Sequence, residues 1–213
     1  MNPFWKFLVF GLCLIPLGIL SLDIYWEMQR PGSALGAEPG EAVVHWLGSW
    51  GIRFLLITLA VSSLVRLSPY KKLIRFRRML GLVAFTYVVL HFSGYVFLLA
   101  DGDLATIADD FSERPYITAG LIALLLLLPL AVTSTRGWQR RLGKNWVSLH
   151  KLIYPAAMAA LVHLFWLAKS SYFDAFLYGS ILMLLFLERF AFARRKSQRN
   201  RPAGTPETVQ QAR

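Results

Sequence analysis

Apolar residues in this chain gather in six long blocks, and polar residues are largely confined to the segments between the blocks. A helix needs roughly 20 mostly apolar residues to cross the hydrocarbon core of a bilayer, and each block approaches that length. The pattern therefore predicts an all-α membrane bundle of six transmembrane helices. The predicted spans are approximately 7–22, 46–65, 79–100, 116–134, 149–168 and 173–193. Together they predict a transmembrane domain over residues 1–192 and a basic, disordered tail over residues 193–213.

The composition leaves little room for anything except the membrane bundle. Of the 213 residues, 56% are hydrophobic and 16% are charged. Six spans take about 120 residues, so the remainder forms short loops and the tail rather than a soluble catalytic domain. Cys13 is the only cysteine, so an intrachain disulfide and a cysteine-ligated iron–sulfur or zinc centre are excluded. The chain also lacks a C-x-x-C-H motif, so any haem would be held non-covalently.

The net charge of +11 reflects membrane orientation rather than a nucleic-acid-binding surface. Nineteen of the 23 basic residues fall in the N-terminus, in 66–78, in 136–151 and after residue 188, whereas ten of the 12 acidic residues fall in the alternate segments. Loops rich in lysine and arginine remain in the cytoplasm, so the asymmetry predicts that both termini are cytoplasmic. The basic tail suits either contact with anionic lipid or a plain stop-transfer signal.

Two histidines lie inside apolar blocks at matching depths. His91 is 12 residues beyond Met79, and His163 is 14 residues beyond Leu149. At 1.5 Å per residue, they lie roughly 18 and 21 Å from the inner boundary of two spans that run in the same direction. An ionisable side chain at this depth is costly and usually functional, and imidazole is a common axial ligand of haem iron. We therefore predict that the two imidazoles bind one b-type haem from opposite faces; hydrogen bonding between helices is the alternative.

A second candidate site lies nearer the cytoplasm. His150 precedes His163 by 13 residues, or roughly 20 Å, and Arg77 precedes His91 by 14 residues and shares its helix face. His150 could bind a second haem iron, and Arg77 could approach that iron or pair with haem propionates. The 13-residue spacing is off by roughly 140° in an ideal helix, although Pro155 could re-phase it. Alternatively, His150 is a polar residue at the membrane interface, and Arg77 is part of the basic loop that orients the protein in the membrane.

Polar groups on the opposite side of the membrane have a less specific pattern. His45 lies at the outer start of the second span, where water is near, and we interpret it as structural. The loop between the third and fourth spans carries five acidic residues: Asp101, Asp103, Asp109, Asp110 and Glu113. This loop could steer a partner with a basic docking face, or it could simply be a translocated loop that lacks positive charge.

Several motifs support a resemblance to a known family. The segment 146–154 reads W-x-x-L-H-x-L-x-Y, with His163 13 residues after its histidine, and segments 77–82 and 133–134 match as well. These segments resemble the MsrQ (also called YedZ) family of haem-binding membrane subunits, which belongs to the ferric-reductase-like transmembrane superfamily. Length, six spans and histidine positions agree over essentially the whole chain.

The resemblance implies a function and its components. MsrQ proteins are multi-pass proteins of the bacterial inner membrane. They pass electrons from the quinone pool or a cytosolic flavin reductase to the periplasmic molybdopterin enzyme MsrP, which reduces methionine sulfoxide in oxidised envelope proteins. Carried over by position, His91 and His163 would hold an outer haem b, and His150 an inner one with Arg77. The family is also associated with FMN. Catalysis itself would belong to the partner.

Two other functions remain compatible with the residues. The chain could be a stand-alone transmembrane ferric or quinone reductase, which would reduce ferric chelates or quinones without any partner. It could also be a non-redox transporter or scaffold, in which the histidines are polar contacts between helices. Purified protein without a haem Soret band would favour the second alternative.

Overall fold

The computed structural model describes residues 3–167 and 172–199, and the chain is helical through nearly all of this part. Six of its helical segments are long and apolar enough to cross a membrane, so the predicted all-α, six-span fold is confirmed. The α-helices are α1 (Pro3–Gln29), α2 (Pro39–Leu67), α3 (Arg77–Gly94), α4 (Leu104–Glu113), α5 (Pro115–Val132), α6 (Arg136–Leu142), α7 (Lys144–Leu149), α8 (Ile153–Leu167) and α9 (Phe173–Arg199). The 3₁₀ segments Lys71–Phe76 and His150–Leu152 lead into α3 and α8, and the π-helical segment Tyr95–Leu99 extends α3.

Helical hydrogen bonding continues beyond the apolar blocks into their polar flanks. α1 runs to Gln29 rather than ending near residue 22, and α2 begins at Pro39, a residue type suited to the first helical turn. α9 continues to Arg199, past the start of the predicted tail at residue 193. Residues 200–213 lie outside the described residues, so the division between bundle and disordered tail stays a prediction.

α2 is the central helix of the bundle. Over its most apolar stretch 56% of residues are buried, against 11–22% in the other five spans. It runs antiparallel to α3, and the ring centres of Phe54 and Tyr87 lie 5.0 Å apart between them. α1 joins this pair near Pro16. Trp46 Nε1 donates to Pro16 O at 3.0 Å, and Tyr87 Oη donates to Cys13 O at 2.8 Å. Neighbouring helices thus bond to carbonyls around the proline inside α1.

α5 and α8 form a second antiparallel pair. Ala119 and Ala123 on α5 and Ala156 on α8 are buried, and small residues of this kind allow membrane helices to pack closely. The short connection through α4 starts α5 at the end of the bundle where α3 finishes, so α3 and α8 run in the same direction. We call this end, which carries α4 and the starts of α2 and α5, the acidic end. The opposite end, which carries α6 and the segment Lys71–Phe76, is the basic end.

Polar contacts fasten α9 to the bundle near the basic end. Glu188 forms an ion pair with Arg66 on α2. The neighbouring Arg189 donates from Nη1 to Tyr154 Oη at 2.6 Å and from Nη2 to Leu59 O at 2.7 Å. Charged side chains within membrane spans normally pair or bond to backbone carbonyls in this way. These contacts therefore hold α9 against both α2 and α8.

Candidate functional site

Two histidine rings face each other in the half of the bundle nearer the acidic end. His91 lies on α3 and His163 on α8, and both residues are half-buried. Their ring centres are 5.9 Å apart, and their planes are inclined at 76°. The fold thus brings together the two imidazoles that were predicted to share one iron.

Each of these imidazoles is oriented by a backbone carbonyl on the neighbouring helix of its pair. His91 Nδ1 lies 2.8 Å from Val44 O on α2, and His163 Nδ1 lies 2.6 Å from Tyr116 O on α5. A carbonyl oxygen only accepts, so Nδ1–H is the donor in both bonds. The proton on Nδ1 leaves the lone pair on Nε2 free to bind a metal. A donated bond from the second nitrogen also fixes ring orientation and raises the basicity of a metal-binding imidazole.

The separation of the rings fits an iron held between them. Two metal–imidazole bonds of about 2.0–2.1 Å, with roughly 1.1 Å from each bonding nitrogen to its ring centre, would put the ring centres about 6.2–6.4 Å apart. The observed 5.9 Å is within a few tenths of an ångström of that separation. Among residues 3–167 and 172–199, no group of three His, Cys, Asp or Glu side chains converges on a metal position. Two imidazoles alone suit an iron whose other four ligands come from a porphyrin.

His150 is separate from this pair, on the part of the fifth span near the basic end. Its ring stacks on Trp146 with the ring centres 3.8 Å apart, and Nδ1 lies 3.1 Å from Trp146 O. The segment His150–Leu152 is 3₁₀ rather than α-helical. A 3₁₀ helix rotates by about 120° per residue and an α-helix by about 100°. Three 3₁₀ residues therefore reduce the angle between the directions of His150 and His163 from about 140° to about 80°. The re-phasing comes from this segment, since Pro155 lies in the first turn of α8 where proline is tolerated.

Arg77 lies in the same region as His150. It is the first residue of α3 and is half-buried, whereas Arg78 is exposed. This difference agrees with the predicted face of Arg77. Arg77 is within electrostatic range of His150 and also of Arg66 and Arg189. A half-buried guanidinium near His150 suits an anionic group such as a propionate.

Sequence reasoning did not single out two arginines that the structure gives specific partners. Arg53, in the middle of α2, donates from Nε to Tyr178 Oη at 2.8 Å, and its Cζ lies 4.9 Å from the Trp50 ring centre. Arg189 makes the two bonds to Tyr154 and a helical carbonyl described above. Both arginines lie inside apolar blocks, and a charged residue at such a position indicates a specific partner.

The acidic loop is partly structural. Asp103 caps α4 by accepting from Thr106 Oγ1 at 2.7 Å and from two backbone amides, and these bonds lower its pKa, the Thr106 hydroxyl most of all. Asp110 accepts from Tyr95 Oη at 2.9 Å. Asp109 and Glu113 are exposed and leave an outward-facing acidic surface on α4.

His45 lies near the acidic end, in the second turn of α2. Its Nε2 is 3.3 Å from Glu41 Oε1, one turn earlier on the same helix, and both side chains are exposed. The arrangement suits the structural, interfacial role predicted for His45.

Comparisons with known proteins agree with this architecture. The family described as ferric reductase like transmembrane component matches residues 47–161. Curated proteins named protein-methionine-sulfoxide reductase heme-binding subunit MsrQ match most of the chain. The protein from Xanthomonas oryzae pv. oryzae (strain MAFF 311018) is 44% identical over 202 residues, which is 92% of each chain. The Rhodospirillum rubrum protein is 43% identical over 194 residues, or 90% of each chain. No solved structure matches.

Proposed function

Since the chain belongs to the MsrQ family of haem-binding subunits, within the ferric-reductase-like transmembrane proteins, we propose that it carries electrons across the bacterial inner membrane to a periplasmic methionine sulfoxide reductase, MsrP. The observation that carries this proposal is the facing pair of imidazoles. Both rings have Nδ1 bonded to a carbonyl, and their centres are spaced to hold one iron.

His91 and His163 are the proposed axial ligands of a b-type haem. When bound, the haem iron supplies a reversible one-electron couple. With both imidazoles bound, the iron would have no position open for oxygen or substrate, which favours electron transfer. The carbonyls of Val44 and Tyr116 hold the rings in place and, by accepting from Nδ1–H, would leave Nε2 to bind the iron. His150 and Arg77 would hold a second haem near the basic end, and FMN stays a prediction from resemblance without an assigned residue.

The distribution of charge supports the direction of transfer. The loops at the basic end carry most of the lysine and arginine, so this end and both termini are proposed to be cytoplasmic. Electrons from the quinone pool or a cytosolic flavin reductase would then arrive near His150 and leave at the acidic end. The exposed carboxylates of α4 would attract a partner with a basic docking face. The proposed partner is the molybdopterin subunit.

Haem content tests the proposal. Full-length protein is purified in detergent after expression with adequate haem, and haem-to-protein ratios and reduced-minus-oxidised spectra are compared among variants. His91→Ala and His163→Ala are each expected to lose the same low-spin signal, because one imidazole cannot complete the pair. His45→Ala, an exposed histidine at the same end, is the matched control and should keep the spectrum of the wild type.

The same samples separate the alternatives. Wild-type protein without a Soret band would contradict haem binding and favour a scaffold or transporter. Rapid reduction of ferric chelates or quinones without a partner would instead indicate a stand-alone reductase. A haem-to-protein ratio near one that His150→Ala leaves unchanged would remove the second haem but not the first.

A further inference from the structure

The two facing histidines rest on two copies of one local arrangement. Val44 O accepts from His91, and Gly48 follows Val44 by four residues on α2. Tyr116 O accepts from His163, and Gly120 follows Tyr116 by four residues on α5. In each copy the histidine lies 47 residues after the residue that supplies the carbonyl.

Helix geometry explains why glycine stands at these positions. Each Cα–Cβ bond of an α-helix tilts toward the N-terminus, so a side chain covers the surface above the residue one turn earlier. A ring that reaches the carbonyl of Val44 must therefore pass over residue 48. A Cβ placed at Gly48 would lie 2.9 Å from both Nδ1 and Cε1 of His91. Non-bonded atoms of this kind normally stay about 3.5 Å or more apart, so the ring would have to move.

The second copy is equally tight. A Cβ placed at Gly120 would lie 2.9 Å from His163 Nδ1 and 3.1 Å from its Cε1. Neither ring can retreat freely, because each is held by its bond to the carbonyl and faces the other ring. Among the glycines of the described residues, only Gly48 and Gly120 would bring a Cβ closer than 3.0 Å to a neighbouring atom, and in both cases that atom belongs to an imidazole of the pair.

We propose that Gly48 and Gly120 are positioning residues that seat the two imidazoles on their carbonyls. This inference rests on the proposed haem role of His91 and His163. By omitting a side chain, each glycine allows Nδ1–H to reach the carbonyl, which sets the rotation of the ring and its basicity as a ligand. Glycine is otherwise unfavourable within a helix by about 1 kcal/mol relative to alanine, so local helix formation gives no reason for its presence.

The chain offers matched controls. Gly81, on α3, faces α2, and a Cβ there would lie 3.5 Å from Thr58 Cγ2. Gly179, on α9, faces α8, and a Cβ there would lie 3.5 Å from Leu161 Cδ2. Both distances are ordinary contacts. Gly81→Ala and Gly179→Ala therefore add the same methyl group between helices without touching an imidazole.

The test compares Gly48→Ala and Gly120→Ala with these two controls in purified holoprotein. Loss of a partner behind a metal-binding histidine typically costs 10–100-fold in metal affinity, so we expect faster haem loss by about that factor. A less basic imidazole stabilises ferric iron less, so the midpoint potential should become more positive. Near-perpendicular imidazole planes give a strongly anisotropic low-spin ferric EPR spectrum, and its largest g value should shift as a ring rotates.

Each outcome decides the inference. If Gly48→Ala and Gly120→Ala match the controls in potential and g values, the glycines do not position the ligands. If either variant fails to accumulate, pulsed EPR on wild-type protein with ¹⁵N-labelled histidine measures the Nδ1–H hydrogen bonds directly. Strong Nδ1–H bonds are expected, and weak ones would overturn the inference. A wild type without a bis-imidazole haem signal would instead refute the proposed function itself.

Discussion

Replacing Arg189 tests whether hydrogen bonds or apolar contacts hold α9 to the bundle at the basic end. The perturbation is Arg189→Met, which keeps a long unbranched side chain and removes the guanidinium. Arg194→Met, also on α9, is the control, because Arg194 is exposed and stacks on Phe190 of its own helix.

The expected magnitude follows from the contacts of the guanidinium. Arg189 makes two interhelical bonds, of 2.6 Å to Tyr154 Oη and 2.7 Å to Leu59 O. Interhelical bonds in membranes contribute about 0.6 kcal/mol on average and about 1.7 kcal/mol at most, so two bonds give about 1–3 kcal/mol. Within residues 3–167 and 172–199, Arg189 Nε is buried without a hydrogen-bond partner, and removing it recovers part of the cost of burying a donor. We therefore expect a net destabilisation of about 1–2 kcal/mol, or about 5–30-fold in the folded-to-unfolded ratio.

The assay is reversible unfolding in mixed detergent micelles, followed by tryptophan fluorescence, for both variants and the wild type. Because Arg189 is within electrostatic range of Arg77 beside the proposed second haem, the His150-dependent potential should also become more negative, since a lost cation no longer stabilises the reduced state. Equal stability of Arg189→Met and Arg194→Met would refute the reasoning, because the two bonds would then contribute nothing to the packing of α9.

Two further predictions concern the ends of the bundle. Replacing exposed Asp109 and Glu113 with lysine should slow electron delivery to the methionine sulfoxide reductase partner at low salt, and the difference should shrink as ionic strength rises. Stopped-flow oxidation of the reduced protein measures this rate, and a rate difference that does not depend on salt would contradict electrostatic steering. Trp146→Phe removes the 2.9 Å bond from Trp146 Nε1 to Thr133 O but keeps an aromatic ring beside His150. It should change the His150-dependent absorption while leaving the His91–His163 signal intact, and loss of both signals would argue for a general folding defect.

The sequence was sufficient for those features that depend on length and depth. Apolar blocks define spans because a membrane requires a minimum helical length, and a rise of 1.5 Å per residue places His91 and His163 at one level. The rotation of each helix about its own axis was harder to predict from the sequence. The spacing between His150 and His163 implied a poor phase, and the 3₁₀ segment that partly corrects it has no distinctive residue pattern.

The partners of the two histidines were missed for a physical reason. Every residue supplies a carbonyl, so neither Val44 nor Tyr116 carries a side-chain signal for accepting a hydrogen bond. The glycines one turn later were the available signal, but small residues in membrane helices are usually explained by close packing. Only the positions of the rings distinguish Gly48 and Gly120 from Gly81, whose neighbour is an ordinary methyl group.

The two candidate haem sites are therefore specified in different ways, and they should tolerate substitution differently. Around His91 and His163 the supporting groups are backbone carbonyls, so a substitution disturbs the site by adding atoms rather than by removing a partner. His150 also bonds a carbonyl, that of Trp146 one turn earlier, but its ring stacks on the Trp146 side chain and lies within electrostatic range of Arg77, and substitution can remove or change both side chains. If both positions bind haem, the first site is held rigidly by the fold, and the second is the one whose potential side-chain changes can adjust to different electron donors.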